Sequence, residues 1–154
     1  MKRIIARMLS GEQDPANCFK TLGGRVIDGR EGYLKAEFEA TAEHGNWNGV
    51  TLGGFLSAML DAAMGPAVIS LLSEDEIHNT VDMHVQFLRP APMGKLICEA
   101  RVLHRGRTLI TAEATLATPD GKTVARATTT ELVRSKRRAV QRRRREVTLG
   151  LDQC

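Results

Sequence analysis

Cysteine is scarce and poorly placed for chemistry. Cys18, Cys98 and Cys154 are far apart and odd in number. They offer neither a disulfide framework nor the CxxC spacing of a metal or redox site. Reduced thiols in a cytoplasmic protein are the matching expectation. No His, Cys and Asp cluster has convincing zinc spacing, so no metal is expected. Long apolar runs are missing too. No stretch of 18 apolar residues lacks breakers, so no membrane span is expected. The basic start, Met1 to Arg7, holds an apolar run of only Ile4 to Ala6, too short for a secretory signal. There is no nucleophile elbow of the Gly-x-Ser-x-Gly kind, which argues against a Ser/His/Asp hydrolase. No internal repeat is visible, and no linker precedes residue 134.

Excess positive charge is missing from the body of the chain. The net charge is +4, but residues 134–145 carry eight Lys/Arg and no acid. Outside them, 14 of the 22 basic residues face all 18 acidic ones. The body is therefore mildly acidic, and the basic character is a tail of residues 134–154. Such a run reads as solvated and dispensable for folding. It does not argue for a nucleic-acid-binding fold, so nucleic acid is not an expected partner.

What the chain has is one unusual stretch, residues 44–72. Its first half is loop chemistry, with Asn46, Asn48, Gly49, Gly53 and Gly54. Its second half, Phe55 to Leu72, is apolar or small almost throughout. A helix apolar on every side belongs in a core. Inside it sits one carboxylate, Asp61. Burying an ionised carboxylate is costly unless it is paired, neutralised or functional. Gly53, Ser57, Asp61 and Gly65 are spaced four apart and share one side of the helix. Gly53 and Gly54 sit where the helix starts, and free N–H groups there suit an oxyanion. The plainer reading is a core helix with a small-residue groove and an Asp61 satisfied by a neighbouring strand.

The rest of the chain reads in order. Residues 1–23 carry a weak helical signal through Ile4, Ile5, Met8 and Leu9, with a second short helix after Asp14-Pro15. Residues 25–40 form a hairpin turning near Asp28 to Gly32, and its second arm alternates Leu34, Ala36, Phe38, Ala40 against polar residues. After the helix, four strands follow. Thr80 to Leu88 places Val81, Met83, Val85 and Phe87 on one face, with Thr80, Asp82, His84 and Gln86 on the other. Lys95 to His104, Thr108 to Ala117 and Lys122 to Val133 complete the set, with a hairpin signal at Pro119-Asp-Gly121. A hairpin, a long apolar helix and an antiparallel meander make an α+β chain, one sheet curving round one helix. The expected division is an N-terminal segment 1–23, a domain 24–133 and a tail 134–154.

These residues resemble a known family. Asn46, Gly49, Gly53-Gly54 and Asp61, then Thr80-Val-Asp, Phe87-Leu-Arg-Pro90 and Gly94, then His104-Arg-Gly-Arg107 and Asp120-Gly-Lys122, resemble the hotdog-fold acyl-CoA thioesterases of the PaaI and 4-hydroxybenzoyl-CoA type. The likeness runs from about Gly24 to Val133. It implies the hotdog fold, a curved antiparallel sheet wrapped round one long central helix. It implies hydrolysis of an acyl-CoA with no cofactor besides the coenzyme A of the substrate. By this resemblance Asp61 is nucleophile or general base, and Gly53 N–H polarises the thioester carbonyl. Asn46 lies near the carboxylate and the water, and Thr80 helps place that water. Arg89, His104, Arg105, Gly106 and Arg107 fall where relatives meet coenzyme A phosphates. Leu52-Gly53-Gly54 stands where the family commonly has His-Gly-Gly, so Leu52 removes a side-chain donor beside the thioester.

Two functions stay open on these grounds. One is an acyl-CoA thioesterase. The other is a non-catalytic hotdog protein that binds an acyl-CoA or another hydrophobic ligand. A hotdog dehydratase is disfavoured, since no histidine stands beside the carboxylate on this reading. His44 and His84 read as loop and strand residues, Trp47 as a loop anchor or pocket wall, and Asp82 as an ion-pair partner. Gly53 and Asp61 lie about 12 Å apart along one helix. A single chain cannot bring both to one carbonyl, so a homodimer with antiparallel helices is expected, assembling to a homotetramer.

Overall fold

The computed structural model describes residues 4–136. Two short helices, α1 (Ile4–Leu9) and α2 (Asn17–Thr21), lead into a hairpin of β1 (Gly24–Arg30) and β2 (Tyr33–Ala40). The long helix α3 (Gly53–Ile69) follows. The meander is β3 (Glu76–Phe87), β4 (Gly94–Arg105), β5 (Leu109–Ala117) and β6 (Thr123–Ser135). All six strands form one antiparallel sheet in the order β1-β2-β4-β5-β6-β3. This is the sheet and single long helix that the element order predicts, in the hotdog arrangement that the family resemblance implied.

Alternation builds the core. Leu34, Ala36, Phe38 and Ala40 of β2, Leu96, Cys98 and Ala100 of β4, and Ile110, Ala112, Ala114 and Leu116 of β5 turn inward and are buried. They meet Leu56, Met59, Leu60, Ala63, Met64, Ala67 and Val68 of α3. Many of the inward sheet residues are alanine, which lets the helix sit close to the strands. The N-terminal segment caps one end through Ile5, Phe19 and Leu22, all buried. The Phe19 and Phe38 rings lie 5.0 Å apart. Gly24 is required at that contact, because a Cβ there would stand 2.4 Å from the Phe19 ring.

Four expectations change. The helix runs from Gly53 to Ile69 rather than from Phe55 to Leu72, and it passes through Gly65-Pro66 without ending. Nor is it buried all round. Gly54 and Asp61 are exposed and Ser57, Ala58, Ala62 and Gly65 are half-buried, so one small-residue face lies open. Asp61 is therefore not a buried carboxylate within one chain. Strand β6 continues two residues past Val133, pairing Ser135 with Glu76, and Lys136 N–H bonds the Asp75 carbonyl at 2.8 Å. The remainder of the basic tail, residues 137–154, lies outside the described residues.

The fourth change is a bulge in β3. Strict alternation puts Thr80 on the outer face with Asp82. The β3–β6 register instead slips between Thr80 and Asp82, which leaves Val81 as an extra residue, 56% exposed. Beyond the slip, Met83, Val85 and Phe87 oppose the inward Thr129, Ala127 and Ala125. Before it, Thr80 and His78 oppose the inward Glu131 and Val133. The bulge thus swings Thr80 and His78 onto the helix side, as bulges beside functional sites often do.

Candidate active site

Asp61 projects from the open face of α3, and Thr80 reaches it from β3. Thr80 Oγ1 is 3.4 Å from Asp61 Oδ1. The same hydroxyl lies 3.1 and 3.2 Å from the two carboxylate oxygens of Glu131. Glu131 is only 1% exposed. His78 Nδ1 is 2.9 Å from Glu131 Oε2, and Thr129 Oγ1 is 3.1 Å from Oε1. Thr80 and His78 therefore converge on one buried carboxylate, with the Thr129 hydroxyl shared between it and the Asp82 carbonyl at 2.9 Å; Glu131 stands behind Thr80 and Asp61.

The electrostatics follow from this packing. Asp61 is raised above the ordinary aspartate value. Partial removal of water by the surrounding protein is the larger cause, and the negative charge of Glu131 adds to it. The Thr80 hydroxyl and His78 pull the other way. Burial alone would raise Glu131 as well. The hydrogen bond and attraction of His78, then Thr129 and Thr80, outweigh burial and hold it below the usual glutamate value.

Glu131, His78 and Thr129 were not among the residues singled out from sequence. Glu131 carried a readable signal, since it falls in phase with Ala125, Ala127, Thr129 and Val133 on the inward face of β6. His78 could not be placed without the bulge. The expectation that no histidine stands near the carboxylate is corrected by it, although its bond is to Glu131.

At the start of α3, Leu52 is the N-cap and is 47% exposed. Its N–H is taken by the His44 carbonyl at 2.9 Å. Among the described residues no acceptor meets Gly53 N–H or Gly54 N–H, the positive end of a 17-residue helix. The Phe87 ring lies against Gly53, 3.0 Å from where a Cβ would be. Ser57 gives its hydroxyl to the Gly53 carbonyl at 2.9 Å, so it is held within the helix and is not poised as a nucleophile. Cys98 is fully buried and its thiol is pushed far up by that burial.

The structure does not join every residue the resemblance pointed to. Asn46 Oδ1 accepts N–H bonds from Asn48 (2.8 Å) and Val50 (3.4 Å). It shapes its own loop and makes no hydrogen bond to Asp61 of the same chain. Trp47 is fully exposed rather than an anchor. His44 is buried, accepts the Thr41 N–H at 2.9 Å and packs edge-on against Phe55. Asp82 makes no ion pair among the described residues; its carbonyl accepts the Thr129 hydroxyl. Arg105 is drawn into a 2.7 Å ion pair with Glu76. Arg89 and Arg107 are both exposed. Arg89 sits beside Val124 and the 104–107 turn beside Val133. Nine residues of strand separate those levels, about 30 Å. One chain cannot bring both groups to one nucleotide.

Comparison with known proteins agrees with this geometry. The Thioesterase superfamily model matches residues 48–125. A Halobacterium salinarum protein named as a candidate esterase is 33% identical over 119 residues, which cover 74% of this chain and 78% of that protein. A Ralstonia eutropha structure, described as a candidate thioesterase and phenylacetic acid degradation-related protein, superposes with a TM-score of 0.78. It is 35% identical, and the match covers 84% of this chain and 98% of that one. The Escherichia coli PaaI protein of the phenylacetic acid degradation operon shares the fold at a TM-score of 0.75 and 23% identity, over 85% of this chain and 94% of that one. A helix-borne carboxylate, free N–H groups at the same helix's start and this match over half the chain lead to one conclusion: the protein belongs to the Thioesterase superfamily and is a PaaI-like, hotdog-fold thioester hydrolase.

Proposed function

We propose that the protein hydrolyses an acyl- or aryl-CoA thioester to a carboxylate and free coenzyme A, in the cytoplasm, with Asp61 as nucleophile or general base. The observation that carries this reading is the pairing of Asp61, beside the Thr80 hydroxyl, with unclaimed N–H groups at Gly53 and Gly54. Thioester hydrolysis near neutral pH needs a group that attacks or activates water and donors for the oxyanion. The helix offers one of each, about 12 Å apart. A second copy, with its α3 antiparallel, would bring its Gly53 to this Asp61. The open face of Gly54, Ser57, Ala58, Ala62 and Gly65 supports that placement, as do the exposed Val81, Phe87 and Leu88 on the edge strand β3. A dimer of such dimers is the proposed assembly.

The same symmetry gives Arg89 and the 104–107 turn a common task. Arg89 lies at the level of Gly53, because Phe87 two residues before it touches that glycine. The turn lies toward the Asp61 end, since Glu131 pairs with Ile110 of β5. Joining Gly53 of one copy to Asp61 of the other brings these cations toward one site. Arg89 and Arg107 would then meet coenzyme A phosphates, Arg105 serving Glu76 instead, with His104 and Gly106 shaping the turn. Asn46 would act from its loop near the water.

Free thiol released from a panel of acyl-CoAs tests the proposal. The Asp61→Asn variant should lose at least about 10²-fold in turnover, the low end for a positioned acid–base group, while still binding acyl-CoA. Wild-type turnover in that variant would sink the role of Asp61. Binding without hydrolysis by the wild type would establish the second reading, a ligand-binding hotdog protein, which Leu52 at the N-cap favours because its side chain has no hydrogen-bond donor.

A further inference from the structure

A thioester departs as a thiolate, and a proton delivered to its sulfur as the C–S bond breaks completes the release. The titratable groups around Asp61 are Glu131 from β6 and His78 from β3. Glu131 lies below the usual glutamate value, so near neutral pH it is ionised and only accepts hydrogen bonds. Its 2.9 Å contact with His78 is then a bond that Nδ1–H donates. That bond fixes the ring and leaves Nε2 free to act. Among the described residues Nε2 has no partner. No buried side-chain nitrogen or oxygen among them lacks one, so Nε2 reaches the surface, on a side chain 17% exposed. The bulge in β3 brings His78 and Thr80 onto the helix side together. They are two residues apart, about 7 Å along the strand, and the Thr80 hydroxyl is 3.4 Å from Asp61. Reacting contacts of about 3 Å at each end of a bonded carbon and sulfur cover about that gap. A Cβ on Gly65, one turn along α3 from Asp61, would meet nothing, so there is room beside the carboxylate.

We propose that His78 is a further catalytic residue, whose Nε2 gives its proton to the departing thiolate while Glu131 positions the ring. The inference rests on the thioesterase reading above and adds the acid of that reaction. As the C–S bond breaks, its electron pair goes to sulfur, which takes the Nε2 proton and becomes the free thiol. The ring, cationic before the step, is neutral after it and keeps Nδ1–H on Glu131. Water supplies the new oxygen of the acid and two protons. One returns to Nε2 through solvent, and the other leaves as the acid ionises to the carboxylate. The balance is the same whether Asp61 is nucleophile or general base. In the antiparallel pairing that sets Gly53 of the second copy beside Asp61, Leu52 of that copy comes next to it and brings no side-chain donor. His78 supplies the donor from the other side of the site.

The test varies the leaving group. One acyl group from the panel that the wild type hydrolyses is presented on coenzyme A and on para-nitrothiophenol, whose far more acidic thiol departs unaided. In His78→Gln, kcat/KM for the coenzyme A ester should fall by about 10². The loss on the aryl ester should be at least about tenfold smaller, since no acid is needed there. Both esters are run on one preparation, so any unfolded fraction cancels from the ratio. Glu131→Gln, which removes the charge that holds Nδ1–H, should move the ratio the same way by less; an unmoved ratio would remove its positioning role. Equal losses on the two esters in His78→Gln make His78 a structural residue and overturn the proposal. Should that variant not fold, or the wild type ignore the aryl ester, nitrogen NMR of His78 in the wild-type chain decides. Nε2 should shift with coenzyme A and not with its desulfo analogue, and a shift that ignores the sulfur overturns the proposal. A wild type that hydrolyses no acyl-CoA removes the thioesterase reading itself, and the proposal with it.

Discussion

Removing the His78 imidazole should expose how much the buried carboxylate depends on it. In His78→Ala, Glu131 stays 1% exposed but loses the donor at 2.9 Å. Breaking a buried pair by deleting one partner costs about 3–5 kcal/mol. Thr80 still donates, so the low end applies, about 3 kcal/mol at pH 7. For a chain of this size that is a fall in melting temperature of roughly 6–12 °C. The pH dependence has a definite sign. Glu131 is depressed in the native protein, so its contribution is present above the unfolded glutamate value and is lost as pH falls through the folded one. The variant loses that depression and takes up the proton earlier. The gap between the two proteins should be complete at pH 7 and close below about pH 5. Urea melts at both pH values and one protein concentration measure it, since assembly shifts apparent stability. In a Glu131→Gln background the same His78→Ala change should cost about 1 kcal/mol, a coupling of roughly 2 kcal/mol. A small, pH-independent loss that is equal in both backgrounds would refute the account.

Gly53→Pro should fold, because Pro suits the first helical position, Leu52 before it already holds φ −64°, ψ 138°, and the Phe87 ring, 3.0 Å from the new Cβ, is 54% exposed and can shift. It removes the N–H assigned to the oxyanion, so kcat should fall by about 10²–10³; undiminished steady-state turnover would reject that donor. Ser57→Ala should keep turnover within about twofold, because its hydroxyl is bound to the Gly53 carbonyl and the loss of one such bond is small. A variant stalled before thiol release would instead make Ser57 a participant.

The sheet was legible in the sequence because its strands alternate cleanly between alanine or leucine and charge, and the core follows them. The long helix α3 was legible as an element but not in its exposure. Its small, apolar face looks the same whether the sheet or a second copy covers it, and one chain's sequence does not distinguish the two. Thr80 came from family resemblance, while its alternation pointed outward. One extra residue, Val81, reverses the face of everything before it, and no composition marks it. Glu131 stood in plain view as a glutamate among inward alanines and threonines. Its partner His78 lay hidden behind the same bulge. Asn46 and Arg105 had suitable chemistry, but that chemistry is spent on their own loop and on Glu76.

The open face of α3 also has an entropic meaning. Gly54, Ser57, Ala58, Ala62 and Gly65 hold almost no side-chain rotamers to freeze. Glycine and alanine lose none on burial, whereas long side chains lose up to about 2 kcal/mol each. Whatever covers this face therefore immobilises backbone already held rigid in the helix, plus one aspartate. Contact there can be close without a large ordering penalty, and the one long side chain with freedom to lose on that face is Asp61.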